Sequence, residues 1–294
     1  MNVPEAMKTD IVIPIHDSPE DVRRCISSCV ASLRAGDRII LVDDGSAPAT
    51  ENICISAAEK YPSSIVLVRH SEGRGFSRAA NAGIGKTESP IVILLNSDTV
   101  VPPEWLDRIE ACFASNPNIG IVGPLSNAGG WQSIPEIVFG GPKNNRIASD
   151  DVSLEKIQDF CRSFRDLYEY PVVDQINGFC IAIRREVFER IGMLDEKSFP
   201  KGYGEEVDFN FRAQDAGFIS AIAIDCFVYH DKTKSYTPET RKELVAEGRA
   251  RNDRVHGAFR VKEAMAGSRD NPILKAIRAR AAQAFAKNGW MLDE

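Results

Sequence analysis

The sequence predicts an α/β protein: a mostly parallel central sheet with helices on both faces, plus a helical C-terminal extension. Three observations predict it. Short apolar strands alternate with helical stretches from residue 10 to residue 122. One strand, Ile91-Val92-Ile93-Leu94-Leu95, is apolar at every position, as a strand buried on both faces requires. Polar residues follow the strands directly, Asp43-Asp44 after one and Asn96-Ser97-Asp98 after another. In open α/β sheets the carboxyl ends of strands are where ligands bind.

Taken in order, Asp10-Ile11-Val12-Ile13-Pro14-Ile15 is the first strand. Ser18-Pro19-Glu20-Asp21 opens a helix with a capping residue, an early Pro and acids facing the helix dipole. Val22, Cys25, Ile26, Cys29, Val30 and Leu33 then recur at helical spacing. Gly36-Asp37 turns into a second strand, 38–42, a helix near 49–60 follows, and 65–68 is a third strand. A glycine-rich segment, 73–83, leads to the apolar strand at 91–95. Helix 103–115 and strand 119–122 continue the alternation. From Pro124 to about Asp150 periodicity is lost, and a loop of that length inside a domain is usually functional. A helix near 152–169, a strand at 177–183 and a short helix at 185–191 come next. Gly204-Glu205-Glu206-Val207-Asp208 starts another helix with acids in its first turn, where their plainest role is to favour the dipole. A strand at 218–224 and the segment Phe227-Val228-Tyr229-His230 close this section, and the remainder reads as helical.

Composition narrows the function. Hydrophobic content of 43% and charged content of 27% are those of an ordinary globular protein, and a formal charge of -6 argues against a nucleic-acid partner. Charge is unevenly spread: residues 240–294 hold 12 Lys/Arg against 7 Asp/Glu. Seven scattered cysteines without zinc spacing read as buried thiols of a reducing, cytoplasmic compartment. Neither a signal-type start nor an apolar window of membrane-spanning length is expected here. Asp98 could hold a divalent cation, and a cation there could hold a diphosphate; alternatively Asn96 and Asp98 form an Asx-turn.

The ordered segments Ile11-Val12-Ile13-Pro14, Val42-Asp43-Asp44-Gly45-Ser46, Gly75-Phe76-Ser77-Arg78-Ala79-Ala80-Asn81-Ala82-Gly83 and Leu94-Leu95-Asn96-Ser97-Asp98 resemble family 2 glycosyltransferases. Asn177-Gly178, Gly204-Glu205-Glu206-Val207-Asp208-Phe209, Arg212 and His230 extend the resemblance over roughly residues 9–235, closest in kind to bacterial rhamnosyltransferase-like polysaccharide enzymes. The resemblance implies a GT-A fold, a nucleotide-diphosphate sugar donor (dTDP-, UDP- or GDP-linked), a divalent metal such as Mn²⁺ or Mg²⁺, and inversion at the anomeric carbon. It implies Asp98 and His230 as metal ligands. Pro14, Asp43, Asp44, Gly75, Arg78, Asn81, Asn96, Ser97, Asn177 and Gly178 are then donor-binding residues. The family's acid pair is usually Glu-Asp with its second member as base, so Glu206 is the expected base, with Glu205 and Asp208 as the alternatives. Two departures stand out: Glu206 replaces that Asp, and Asn96 replaces the first acid of an Asp-x-Asp triplet. Trp131 and Arg212 are the acceptor-side candidates, Trp131 as a ring that either stacks on a sugar or covers the core.

The implied organisation is a transferase domain at 1–238, with a nucleotide half at about 9–123 and an acceptor half at about 124–238, followed by a helical extension at 239–294. The implied acceptor is a glycan or a lipid-linked glycan in surface polysaccharide assembly. Basic C-terminal helices admit packing or homo-oligomer contact, or a peripheral contact with anionic lipid at the inner membrane face. Two rivals remain at this level. One is a catalytically silent module of the same fold; the other is a sugar nucleotidyltransferase, whose N-terminal glycine-rich loop is not seen in residues 10–25.

Overall fold

The computed structural model describes residues 7–138, 150–232 and 238–290. Its central sheet begins with β1 (Thr9–Ile15), β2 (Arg38–Asp44), β3 (Ile65–His70) and β4 (Ile91–Leu95), alternating with α1 (Pro19–Ser32), α2 (Pro48–Lys60) and α3 (Phe76–Ile84). A two-residue β5 (Thr99–Val100), α4 (Trp105–Ser115) and β6 (Ile119–Leu125) follow. The second section contributes α5 (Asp151–Arg162), β7 (Val172–Val173), β8 (Cys180–Arg184), α6 (Arg185–Ile191), α7 (Glu205–Asp215), β9 (Ile219–Phe227) and β10 (Tyr229–His230). Helices α8 (Pro238–Asn252), α9 (Ala258–Asp270) and α10 (Pro272–Asn288) complete it, with a π-helical turn, Asp253–Gly257, between α8 and α9.

The large sheet has the order β3-β2-β1-β4-β8-β6-β9-β7. β3, β2, β1 and β4 are mutually parallel, as are β6 and β9. β8 runs antiparallel between β4 and β6, a reversal that the alternation of apolar segments does not encode. Because side chains alternate along a strand, each face gathers its own core. Ile11, Ile13, Ile39, Leu41, Ile91 and Ile93 face α1, α2 and α4, burying Cys25, Cys29, Trp105, Ile109 and Phe113. Val12, Ile40, Val42, Val92 and Leu94 face the other way, onto Ala79 and Ala80 of α3 and Phe209 of α7. Leu274, Ile277, Ala281 and Phe285 of α10 lie in that same second core. All seven thiols are buried and free.

The sheet's topology creates a crevice. β1 is followed outward by β2 and β3, and the chain then crosses back to place β4 on β1's other side. Strand order therefore reverses between β1 and β4, the position at which α/β sheets bind ligands. The β1–β4 ladder covers only Thr9–Val12, so the two strands part before β1 ends. This explains Pro14 in a central strand: it pairs with Val42 on one side and lies past the β4 ladder on the other.

Several local expectations are revised. Ser18 precedes α1 with a left-handed backbone and no side-chain cap; Asp17 instead accepts the Ala47 amide, tying two loops together. The glycine-rich segment is mostly helix, because Ala79, Ala80 and Gly83 let α3 lie close to the sheet. The helix expected at 152–169 ends at Arg162 and continues as a 3-10 turn, Ser163–Asp166. Of the aperiodic 124–150 stretch, Ser126, Asn127, Ala128, Gln132 and Ser133 are buried, and residues 139–149 lie outside the described residues. Among the described residues no helix is long and apolar enough to cross a membrane.

Candidate active site

β4 ends at Leu95, and the next residues turn sharply: the Thr99 hydroxyl donates to the Asn96 carbonyl at 2.8 Å. β5 then pairs antiparallel with β10, placing His230 opposite Thr99. That ribbon brings His230 Nε2 to 3.3 Å from Asp98 Oδ1, two groups distant by more than a hundred residues in sequence. The imidazole is fixed on all sides. Its Nδ1 is 3.0 Å from the Ala128 carbonyl, which can only accept, so Nδ1 carries a proton. Phe179 stacks on the ring at 5.2 Å and 15°. The Asn127 side chain accepts from the His230 amide and donates to the His230 carbonyl, both at 2.8 Å. Nε2 is the ring nitrogen left to face the Asp98 carboxylate, and imidazole with carboxylate at that distance is a donor set for Mn²⁺ or a similar ion. Among the described residues no cluster of three or more His, Cys, Asp or Glu side chains forms, so this pair would leave most coordination positions to ligand oxygens.

The acid pair sits at the first turn of α7. Glu205 is 6% exposed and its Oε2 has no hydrogen-bond partner, while Glu206 Oε2 accepts the Gly204 amide at 3.0 Å. Beneath them lies a cavity walled by Phe76, Leu94, Ile181, Leu194 and Phe209. Burial against that wall pushes the Glu205 carboxyl well above the ordinary carboxylate range, and the neighbouring Glu206 charge pushes it further. Burial also raises Glu206, but less, because its own backbone amide, the Gly204 amide and the Glu205 side chain favour its charged form. The two carboxyls therefore titrate as a pair, with Glu205 the more strongly raised member.

Residues 177–179 join the two groups. A Cβ built on Gly178 would lie 3.5 Å from Glu206 Cβ, so the backbone there rests on the acid pair. The next residue, Phe179, stacks on His230 and accepts the Asn96 amide through its carbonyl at 2.9 Å. Gln132, fully buried, fixes this turn by accepting the Asn177 amide at 2.7 Å and donating to the Pro124 carbonyl.

The other expected residues divide. Asp43 is buried; one carboxylate oxygen accepts the Ser46 amide, and the other lies 3.3 Å from Arg69 Nε without a hydrogen bond. Asp44 is wholly engaged by the protein, taking the Arg74 and Gly75 amides and His70 Nδ1. Gly75 caps α3 with φ 92°, and Arg78 is exposed one turn on. Asn96 and Ser97 are half-buried at the crevice. Asn81 points elsewhere: its amide holds the backbone of Leu194 and the Glu196 carboxylate. Asp208 is bound by Arg212 at 2.7 Å and His256 at 2.8 Å, and Arg212 also donates to the Ile191 and Met193 carbonyls. Trp131 is 5% exposed with its indole N–H on the Gln175 carbonyl, so the ring covers the core and has almost no free face for a sugar.

Three contributors were not visible in the sequence. Asn127 and Gln132 lie in an aperiodic stretch and act through backbone contacts. Lys232 follows His230 with φ 59°; burial, reinforced by Arg241, pulls its ammonium down to about 8, and the Asp98 carboxylate pulls it back upward.

Comparison with known proteins bears on the fold and the family. The chain is 26% identical over 248 residues to the uncharacterized protein y4gI of Sinorhizobium fredii, covering 81% of this chain and 26% of the relative. It is 35% identical over 106 residues to the undecaprenyl-phosphate 4-deoxy-4-formamido-L-arabinose transferase of Sodalis glossinidius, covering 35% of this chain and 32% of that protein. The chain thus spans about a quarter to a third of the length of these curated relatives. Among solved structures, the mannosyltransferase PcManGT of Pyrobaculum calidifontis in complex with GDP-Man and Mn²⁺ superposes with a TM-score of 0.62 at 15% identity, covering 97% of this chain and 77% of that one. GalNAc-T7 with UDP, GalNAc and Mn²⁺ superposes at 0.64 and 17% identity, covering 96% and 57%. These likenesses give the GT-A fold. The glycosyl transferase family 2 model matches residues 10–192, well over half of the chain and including both crevice strands and the 177–179 turn; the chain belongs to that family.

Proposed function

We propose that the chain is an inverting glycosyltransferase that moves a sugar from a nucleotide-diphosphate donor to a hydroxyl of a glycan or lipid-linked acceptor. The observation that carries the proposal is the 177–179 turn, which rests on Glu206 through Gly178 and stacks on His230 through Phe179. In this reading a cation-binding pair and an acid pair, Glu205 buried and Glu206 half-buried, are held on either side of one short segment. A diphosphate leaving group and a base on the opposite face are what a single displacement requires.

Asp98 and His230 would hold the divalent metal, which when bound supplies positive charge to the diphosphate oxygens. Asp43, Gly75, Arg78, Asn96, Ser97, Asn177 and Gly178 form the donor side in this reading, with Lys232 as a further cation for the leaving group. Asp44 acts there by holding the Arg74–Gly75 backbone. Glu206 takes the proton of the acceptor hydroxyl; the oxygen bonds to the anomeric carbon from the far side, and the bond to the diphosphate breaks with its electrons leaving on the nucleotide. Glu205, the more strongly raised of the two, is the member that holds a proton in this reading, which leaves Glu206 to act as the base. The names of the arabinose transferase relatives motivate a polyprenyl-phosphate-linked acceptor. Val255 and Phe259, 65% and 78% exposed among Arg251, Arg254 and Lys262, are the surface a peripheral lipid contact would use.

The test is a thermal-shift panel of UDP, dTDP, GDP and CDP with and without Mn²⁺ or Mg²⁺, on wild type and Asp98→Ala. Binding to the folded state alone raises the melting temperature, by about 2.7 kcal/mol of stability at a hundredfold excess over Kd. One nucleotide is expected to shift wild type in a metal-dependent manner and not Asp98→Ala, with Glu206→Gln keeping the shift but losing transfer. No shift with any nucleotide sinks the reading in favour of a silent module.

A further inference from the structure

The residues that hold the acid pair in place include a helix far outside the stretch that the family model matches. α8 and the π-helical turn pack one face, Gly248, Asn252 and His256, against the start of α7. Asn252 is 2% exposed and donates to the Gly204 carbonyl at 2.9 Å. His256 Nε2 bonds Asp208 Oδ1 at 2.8 Å, and its ring packs on Phe211 at 4.9 Å. Gly248 allows the approach: a Cβ there would stand 1.7 Å from the Tyr203 carbonyl oxygen. Gly204, at φ 125°, is pinned between its two neighbours, its carbonyl on Asn252 and its amide on Glu206 Oε2.

The π turn aligns the three residues. Four α-helical residues turn about 400°, so position 252 is rotated about 40° past position 248. At roughly 4.4 residues per turn, four π-helical residues fall short of a full turn by about 33°. The two drifts nearly cancel, and 248, 252 and 256 remain in line along α7. π turns recur where a helix must re-aim a side chain for function.

We infer that Asn252 and His256 are positioning residues of the active site: the α8–π segment fixes the Gly204 peptide and the first turn of α7, and so sets where Glu206 points and which donor it keeps. This rests on Glu206 being the base, as proposed above. Its physical content is a chain of contacts: Asn252 to the Gly204 carbonyl, the Gly204 amide to Glu206, and His256 through Asp208 to the helix that carries both acids. Without Asn252, Gly204 at its left-handed φ relaxes, and Glu206 loses a donor to its charged form and gains proton affinity.

The experiment titrates the acid pair in the full chain by the infrared carboxyl band, with Glu205→Gln and Glu206→Gln assigning it, in wild type, Asn252→Ala, His256→Ala and His256→Gln. Circular dichroism confirms folding of each. Asn252→Ala is expected to raise the midpoint of the Glu206 step by about one pH unit, a tenfold change in proton affinity. His256→Ala is expected to move it in the same direction and His256→Gln, whose amide can donate to Asp208, to restore it. Nucleotide release from UDP-glucose, GDP-mannose and dTDP-rhamnose with Mn²⁺, followed across pH, should show the same displacement in kcat with donor KM within twofold. Wild-type midpoints in folded Asn252→Ala and His256→Ala would overturn the inference, leaving both residues structural. Wild-type turnover by Glu206→Gln would instead overturn the base assignment, and with it this role.

Discussion

Asp44→Ala separates two roles that a pair of adjacent aspartates at a strand end could share. Asp44 is 4% exposed, and its carboxylate accepts the Arg74 amide at 2.9 Å, the Gly75 amide at 2.8 Å and a bond with His70 Nδ1 at 2.7 Å. Truncation removes all three. His70 is buried, so its lost partner should cost about 1–3 kcal/mol; the two amides lie on a half-exposed loop where water can replace the carboxylate, at about 1 kcal/mol each. The expected loss is about 3–5 kcal/mol, read as a fall in the urea midpoint at unchanged m-value. Asp43 differs, because one of its oxygens makes no hydrogen bond within the protein. Asp43→Asn should keep most of the stability and lose the nucleotide-dependent thermal shift. An Asp44→Ala protein destabilised by less than about 1 kcal/mol would refute the view that this residue shapes the donor loop rather than meeting the donor.

Two further predictions concern the acid pair and the C-terminal helix. Glu205 binds its proton more tightly folded than unfolded, so its contribution to stability is present at acid pH and is lost as pH rises from the unfolded value near 4.5 through the folded one. Glu205→Gln should therefore raise the melting temperature at pH 7–8 by a few degrees and leave it unchanged below about pH 4, with a pH-independent gain counting against the assignment. Phe285 is fully buried and meets the Trp290 ring edge-on at 5.3 Å, in the core that also holds β1 and β4 side chains. Phe285→Ala should cost about 3–5 kcal/mol in one cooperative transition; a separate early transition with an intact remainder would mean that α10 folds apart from the sheet.

What the sequence made legible follows from how each feature is encoded. Strands β1, β2 and β4 were readable because local apolar runs specify them, and their alternation specifies the parallel half of the sheet. β8 was readable as a strand, but its direction between β4 and β6 depends on partners remote in sequence. The Asp98–His230 pair was reachable only through the resemblance, since β5 and β10 are two residues each and carry no pattern of their own. The functions of the polar residues were the least legible. Asn81, Asp208 and Arg212 stand in motif positions, yet Asn81 and Arg212 hold backbone segments, and Asp208 holds the Arg212 and His256 side chains. Residue type alone does not distinguish a group that meets a ligand from one that positions its neighbour. Asn127 and Gln132 illustrate the converse: nothing in their spacing marks them, and they fix His230 and the 177–179 turn.

The acid pair carries the clearest conflict between stability and chemistry. A glutamate over an apolar wall with an unpartnered oxygen destabilises the fold at neutral pH, and glutamine at position 205 would relieve part of that. The fold tolerates it because α7's first turn is held from three directions: by the Gly204 amide, by Asn210 bonding the Glu206 carbonyl at 2.7 Å, and by Asn252 on the Gly204 carbonyl. Two of these contacts come from α7 and its own N-cap, and the third brings in α8 from more than forty residues away. Under the proposed function, this bracing would keep the Glu206 carboxylate in place at the acceptor. It also explains why the basic helices beyond residue 238 are not an appendage. α8 braces the turn, α10 closes the core behind it, and Arg278 of α10 donates to the Trp131 carbonyl in the stretch that fixes His230 and Asn177.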